Sequence, residues 1–268
     1  MIVSTRTRFG RVLLFSYVAL VLVFLLMPVL LVVPMSVSET RYLKFPPTGF
    51  TLHWYFDFFA SEAWIDATIR SVTVACCASA LSTAIGTLAS FTLQGSTLVD
   101  RVAGGAFLGP QVVPVIILAL GIMLLYSRLH LYGSLPGIVA AHAVLALPFV
   151  MTNVTGALRQ RGQTLSQAAR VLGAGPISAF WFVTLPSIRA SVISSAIFAF
   201  FVSFDELVVA LFVMGRNETL PMRIWANVRD DLTPVVAAVA TLLIVATVLA
   251  VVLAELVGRT SAQAENPS

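Results

Sequence analysis

The sequence predicts an all-α polytopic membrane protein with six transmembrane helices, and three observations carry that expectation. Of its 268 residues 59 % are hydrophobic and 10 % charged, whereas a soluble domain carries about a quarter charged residues. The apolar residues gather in uncharged runs of about 20, enough to cross a bilayer as a helix. The runs do not alternate in polarity, so barrel strands are excluded and helices must satisfy the backbone in lipid.

Taken in order, the spans fall at 12–35, 68–91, 104–126, 137–157, 188–213 and 234–256. The first follows Arg6, Arg8 and Arg11 and is too long for a secretory signal, so it reads as a retained span. Phe45-Pro46-Pro47-Thr48-Gly49 then makes a turn-rich stretch. Leu52-His53-Trp54-Tyr55-Phe56 would suit the membrane–water boundary. The second span carries Ala75-Cys76-Cys77-Ala78-Ser79-Ala80 and later Gly86, small side chains that let helices approach closely. Gly105 and Gly109 open the third span as a small-xxx-small pair, expected to pack within the chain. Pro110, Pro114 and Pro148 remove backbone donors, so kinks are expected there. Residues 171–188 are uncharged and could be counted as a seventh crossing. Gly173, Gly175, Pro176 and Pro186 cut them into pieces too short to span. Between spans five and six, Leu220 to Val228 reads as a short amphipathic helix at the surface.

Six spans place both termini on one side. That side holds nine arginines, against seven lysines and arginines on the other, which include Arg41, Lys44 and Arg70. The positive-inside bias favours cytoplasmic termini and an inner-membrane protein whose basic residues touch anionic lipid. The net charge of +4 is spread over span ends rather than gathered in a stripe, which excludes nucleic acid as the partner. Cys76 and Cys77 are adjacent on one helix, diverge, and read as small packing residues rather than a disulfide or metal pair.

The most informative stretch is Thr164 to Pro186, within a cytoplasmic loop over 158–187. Leu165, Ala168, Ala169 and Leu172 fall on one face of a short helix, with Gln163, Gln167 and Arg170 off it. Thr164 is expected to cap its start and Gly173 to end it. Gly175-Pro176 turns the chain into a second helical piece that Pro186 halts. The product is a helix–turn–helix knob on rigid supports, able to transmit a push. A plain connecting turn between two spans is the alternative.

Gln167-Ala168-Ala169, Gly173 and Val183-Thr184-Leu185-Pro186 resemble the cytoplasmic signature of permease subunits of binding-protein-dependent ABC importers. That signature runs Glu-Ala-Ala, three residues, Gly, nine residues, then Ile-x-Leu-Pro. Gln stands here for the acidic first residue and Val for Ile. The resemblance runs from Arg11 to about Gly258. Thr48 to Tyr55, Ala141-His142 to Pro148-Phe149, and Thr219 to Trp225 are similar to the spermidine/putrescine-type subfamily, in particular its PotC-like permease. The resemblance implies a MetI-like importer-permease fold in one domain over 1–268. Gln167, Ala168, Ala169, Arg170, Gly173, Leu185 and Pro186 would then form the loop that docks on a cytoplasmic ABC ATPase dimer. It also implies a second permease subunit, a periplasmic solute-binding protein, and MgATP bound on the ATPase rather than on this chain. A small polar or cationic solute such as a polyamine is the implied cargo; related systems carry opines, phosphonates, thiamine or iron.

The chain itself shows no catalytic signature. A P-loop needs Gly-Lys-Ser/Thr, and Lys44, the only lysine, precedes Phe45. His130 and His142 form no His-Glu-x-x-His pattern, and Gly-x-Ser-x-Gly is absent. Asp205-Glu206, placed inside span five, are the sharpest residues in the membrane. Unpaired carboxylates in hydrocarbon cost several kcal/mol, so they must face a wet cavity or a partner. They are candidate residues of the solute pathway, or else a structural pair. On a continuous helix they diverge by about 100° and make a poor acid–base dyad. An intramembrane enzyme using them, or an ion-coupled carrier needing no ATPase, are the rival readings.

Overall fold

The computed structural model describes residues 8–43, 45–93 and 97–264. Arg6 and Lys44, two of the charges used to orient the chain, lie outside the described residues. Chain packing separates two compact units: one holds the described residues up to Glu62 and from Ile224 onward, the other Ala63–Arg223.

In the first unit, α1 (Arg8–Ser36) and α13 (Val235–Ala264) lie side by side, and α2 (His53–Ala60) packs on α13. Most of α1 is an uninterrupted apolar surface, with Phe15 and Phe24 more than 70 % exposed, as a lipid-facing helix requires. Trp54 of α2 is turned into this unit. It is buried, and its Nε1–H donates to Ser38 O at 2.7 Å. The backbone acceptor satisfies the indole N–H that burial would otherwise leave unpaired. Tyr55 Oη pairs with Ser36 Oγ at 2.7 Å, and Thr51 N donates to Val37 O at 2.7 Å. The segment after α1 is thus stapled to α2.

The second unit begins with α3 (Glu62–Thr92), α4 (Leu98–Val112) and α5 (Val115–Leu129). It continues through α6 (Leu135–Ala157), a π-helical turn (Leu158–Gly162) and α7 (Gln163–Val171). Beyond lie α8 (Pro176–Ala179), a second π-helical turn (Phe180–Thr184), α9 (Leu185–Ser187), α10 (Arg189–Phe204), α11 (Val208–Val213) and the start of α12 (Leu220–Asp230). Helix α12 covers the predicted amphipathic segment.

Among the described residues three helices are long and apolar enough to cross a membrane: Gly10–Ser36, Glu62–Thr92 and Leu135–Gln160. Two bent pairs bring the number to five if each is one crossing, and Val235–Ala250 is a shorter apolar stretch. The chain is therefore an all-α multi-pass membrane protein. The predicted third and fifth spans are not single straight helices. The third bends by 108° between α4 and α5, where Val113 is extended before Pro114, the conformation that proline imposes on its predecessor. Pro110 and Pro148 remain inside unbroken helices. The fifth span ends at Phe204 and resumes at Val208. The uncharged run before it turns away from α10 by 75°.

Helix α6 is the packing centre of this unit. Ile138, Ala141, Ala146, Val150 and Val154 on it are all buried, and α10 packs along it. Small hydroxyls join the helices: Ser79 Oγ donates to Ala196 O at 2.6 Å and Ser90 Oγ to Met151 O at 3.3 Å. His142 Nδ1 meets Ser203 Oγ at 2.9 Å. Such bonds serve where lipid supplies no hydrophobic drive between helices.

Two expectations about small residues are corrected. Cys76 and Cys77 are exposed free thiols, while the buried face of α3 is Val74, Ala75, Ala78 and Ser79. The pair falls on the other side of the helical wheel. A Cβ added at Gly105 or Gly109 meets no atom within 4 Å, so neither glycine packs against the chain; Gly86 does, against Val150.

At the opposite end from the π-turns, residues 214–223 are tied down. Arg70 Nη1 donates to Glu218 O at 2.6 Å and Leu220 N to Ser71 Oγ at 2.7 Å. Arg223 pairs with Glu218 at 3.2 Å and lies 5.6 Å over the Trp64 ring.

Candidate functional site

Residues 158–188 fold as a hairpin of short helices at one end of the second unit. Helix α7 does not start at a cap. It runs on from α6 through the π-helical turn, so Thr164 lies inside it rather than at its boundary. Continuity with the central helix gives the element its stiffness. Its end is as expected. Gly173 has φ +94°, Gly173 N donates to Arg170 O at 3.0 Å, and Ala174 N donates to Ala169 O at 3.0 Å. These two bonds are a Schellman cap, which asks for a left-handed residue at the position Gly173 occupies.

The return strand of the hairpin is anchored. Phe180 is buried and meets Phe91 of α3 with ring centroids 4.7 Å apart, and Ile188 is buried against α6 and α10. Helix α7 packs on the second π-helical turn and on α8. Gln167, Ala168, Ala169, Arg170 and Gly173 therefore share one rigid element with Leu185 and Pro186.

The apolar face of α7 is not packed against the chain. Leu165 is 47 % exposed and Leu172 88 %. Val171, which the periodicity left unremarked, is also 88 % exposed. Ile177 and Phe182 on the returning arm are 75 % and 80 % exposed. The hairpin thus carries bare aliphatic and aromatic side chains at its tip. The sequence pattern identified the helix and its apolar stripe without a direction for it; the exposure of Leu165 and Leu172 supplies that direction.

Asp205 and Glu206 are brought to a different place, about 24 Å along α10 from the hairpin at 1.5 Å per residue. They do not sit on a continuous helix, which corrects the expectation. Asp205 closes α10, its N–H donating to Phe201 O at 3.0 Å, and its side chain is exposed. Glu206 Oε1 accepts from Val209 N at 2.9 Å, filling a free donor at the start of α11. A carboxylate there complements the helix terminus, which is why the break falls at this pair. The two therefore differ in kind. Glu206→Ala is expected to lower unfolding stability by about 1 kcal/mol, and Asp205→Ala to leave it unchanged. Thermal melts of both variants in one detergent check this. An equal drop would mean that Asp205 also holds the break.

Among the described residues no three His, Cys, Asp or Glu side chains come together as a metal site. A half-open cavity of ≈ 760 Å³ lies between α6 and α10, with Gln111 of α4 at its rim. Its polar lining of serine, asparagine, threonine and glutamine was invisible to span counting, because none of these residues is charged.

Comparison with known proteins bears on the whole arrangement. The model of the family described as binding-protein-dependent transport system inner membrane component matches residues 82–262. The chain is 32 % identical over 230 residues to the putrescine transport system permease protein PotI of Escherichia coli K12, covering 82 % of each. It is 30 % identical over 246 residues to the spermidine/putrescine transport system permease protein PotC of Haemophilus influenzae, covering 91 % of this chain and 95 % of that one. The putative 2-aminoethylphosphonate transport system permease protein PhnV of Salmonella typhi is 29 % identical, covering 84 % and 89 %. A crystal structure of a bacterial ABC transporter involved in alginate import shares the fold. Its TM-score is 0.67 at 13 % identity, over 94 % of this chain and 98 % of that one.

Proposed function

This chain belongs to the family of binding-protein-dependent transport system inner membrane components, and we propose that it forms half of the solute pathway of an ABC importer for a small cationic solute of the spermidine/putrescine kind. Members of this family are permeases and not enzymes, so energy enters from an ATPase. The coupling contact is Gln167, Ala168, Ala169, Arg170 and Gly173, held by Leu185 and Pro186. The observation that carries this is the bare apolar tip at Val171 and Leu172 on an anchored hairpin. Gln167, neutral where the family signature is acidic, makes that contact by packing and hydrogen bonding rather than by a salt bridge. A second permease subunit completes the pathway, a periplasmic binding protein delivers solute, and MgATP acts on the partner ATPase.

The polyamine assignment leans on the permeases PotI and PotC, and on Asp205 as an exposed carboxylate beyond α10. The relative PhnV favours a second reading, 2-aminoethylphosphonate. Thermal shift of the cognate binding protein with each compound decides between them. A shift with the phosphonate and none with putrescine or spermidine would sink the polyamine reading.

The topology completing this proposal has one domain with six crossings and both termini in the cytoplasm, in the bacterial inner membrane. The fifth crossing is the broken α10–α11 pair. Reporter fusions at Gly162, Gly175 and the C-terminus should then all read cytoplasm, and those at Lys44, Tyr132 and Asn217 the outside. Opposite labels at Gly162 and the C-terminus would remove the six-span count.

A further inference from the structure

The cavity between α6 and α10 has a chemistry of its own. Asn153 on α6 spends both amide protons on its neighbours: Nδ2 donates to Ser195 Oγ at 2.8 Å and to Ser191 O at 3.3 Å. Ser195 Oγ in turn donates to Ser191 O at 2.7 Å. A backbone carbonyl can only accept, so the amide has one orientation here: turning it over would set two oxygens against each other. Ser195 has given its proton to Ser191 and so can only accept from Asn153. The network thus commits Asn153 Oδ1, which carries no hydrogen bond among the described residues, as an acceptor on the cavity wall.

What surrounds that oxygen is polar but uncharged. Thr152, Gln160, Ser191 and Ser194 add hydroxyl and amide oxygens, and among the described residues no Arg, Lys, Asp or Glu lines the space. Phe149 and Phe198 complete the wall with ring centroids 5.2 Å apart and planes tilted by 57°, so their faces are not used up in stacking on each other. Oxygen acceptors beside aromatic faces favour a cation that also donates hydrogen bonds. An anion would find no positive group. A doubly charged guest avoids burial against a fixed carboxylate, so its departure is not held back by an ion pair.

We propose that this cavity is a binding subsite for a primary alkylammonium group, with Asn153 Oδ1 as its acceptor and the Phe149–Phe198 pair as its cation–π wall. The proposal deepens the importer reading and rests on it. It locates solute recognition within the membrane at a neutral site, away from Asp205 and Glu206. Either candidate solute class, polyamine or aminoalkylphosphonate, presents such a group.

The test uses the assembled permease–ATPase complex, with Cys76 and Cys77 replaced by alanine and a reporter thiol introduced as Ser194→Cys. Modification of this chain is followed by mass spectrometry with a cationic and an anionic thiosulfonate of equal size. The cationic reagent should react about tenfold faster. Putrescine should slow it about fivefold, while 1,4-butanediol and succinate leave it unchanged. Asn153→Leu should abolish that protection. Should that variant fail to assemble, Phe198→Leu, which removes one aromatic face and leaves the Asn153 network in place, should weaken it. Equal rates for both reagents, or equal slowing by the diol, overturn the ammonium assignment. A thiol that reacts in the isolated chain but not in the complex assigns the cavity to subunit pairing and also overturns it. Binding-protein-stimulated ATP hydrolysis, measured on the parent complex, separates the two layers. Putrescine protection without stimulation keeps the subsite and overturns the importer reading. Stimulation without protection does the reverse.

Discussion

Gly173→Asp is expected to leave the protein assembled in the membrane while stimulated ATP hydrolysis and uptake fall to near background. Two effects act together. The backbone at Gly173 stands at φ +94°, where a residue with a Cβ costs about 1–2 kcal/mol, so the Schellman cap loosens and Val171 and Leu172 lose their fixed position. The carboxylate then sits beside two aliphatic side chains that are each 88 % exposed and, in the proposed contact, buried by the ATPase. An unpaired charge buried there costs several kcal/mol. Among the described residues beyond its chain neighbours, no atom lies within 4 Å of the added Cβ, so the fold itself is not clashed against. Gly173→Ala separates the two effects, because it carries the strain without the charge. It should retain partial coupling, whereas Leu172→Asp, which carries the charge without the strain, should match Gly173→Asp. The measurement is ATPase activity of the reconstituted complex with and without loaded binding protein. Wild-type stimulation in Gly173→Asp would take the hairpin out of the mechanism.

The residues that made this hairpin legible are those whose backbone needs are local. Gly173 ends a helix because of its own φ, and Gly175-Pro176 starts one because proline tolerates that position; neither depends on what lies across the membrane. Hydrophobic run length was similarly sufficient for α1, α3 and α6. What the sequence could not disclose was direction. Leu165, Ala168, Ala169 and Leu172 share a face whether that face meets this chain or another, and periodicity carries no sign for inward. The same limit applies to Cys76 and Cys77, small residues that turned out to face away from the helix pack. The break at Asp205–Glu206 escaped for another reason. Residues 200–213 read as a continuous apolar helix unless the glutamate is seen to claim the Val209 N–H. Neutral hydroxyls and two amides spread over 152–195 form the cavity only once α6 and α10 are side by side, a pairing that no spacing along the chain encodes.

The same lesson governs glycine, and it yields the largest stability contrast expected in this molecule. Gly86 on α3 abuts α6 so closely that a Cβ there would lie 2.7 Å from Val150 Cγ1 and 3.0 Å from Val150 Cβ. Val150 is fully buried and β-branched, so its χ1 has little room to yield. In an open helix Gly→Ala would gain about 1 kcal/mol of helix propensity. At Gly86 the overpacking penalty of about 1–3 kcal/mol outweighs that gain, and the longer side chain of Gly86→Leu should prevent α3 and α6 from docking at all. Gly121 on α5 is the control, since nothing lies within 4 Å of its added Cβ; Gly121→Ala should be neutral or stabilising. Val150→Ala removes Cγ1, the methyl the new Cβ would strike at 2.7 Å, and leaves the contact with Val150 Cβ at 3.0 Å. It costs about 1–2 kcal/mol alone through the cavity it leaves, but combined with Gly86→Ala it should do less harm than the two costs added. That is a favourable coupling of the kind a double-mutant cycle isolates. Detergent melts of the four variants, with membrane yield of Gly86→Leu, give the comparison. Strict additivity of Gly86→Ala and Val150→Ala would mean that α3 and α6 are not in contact at this point in the folded membrane protein.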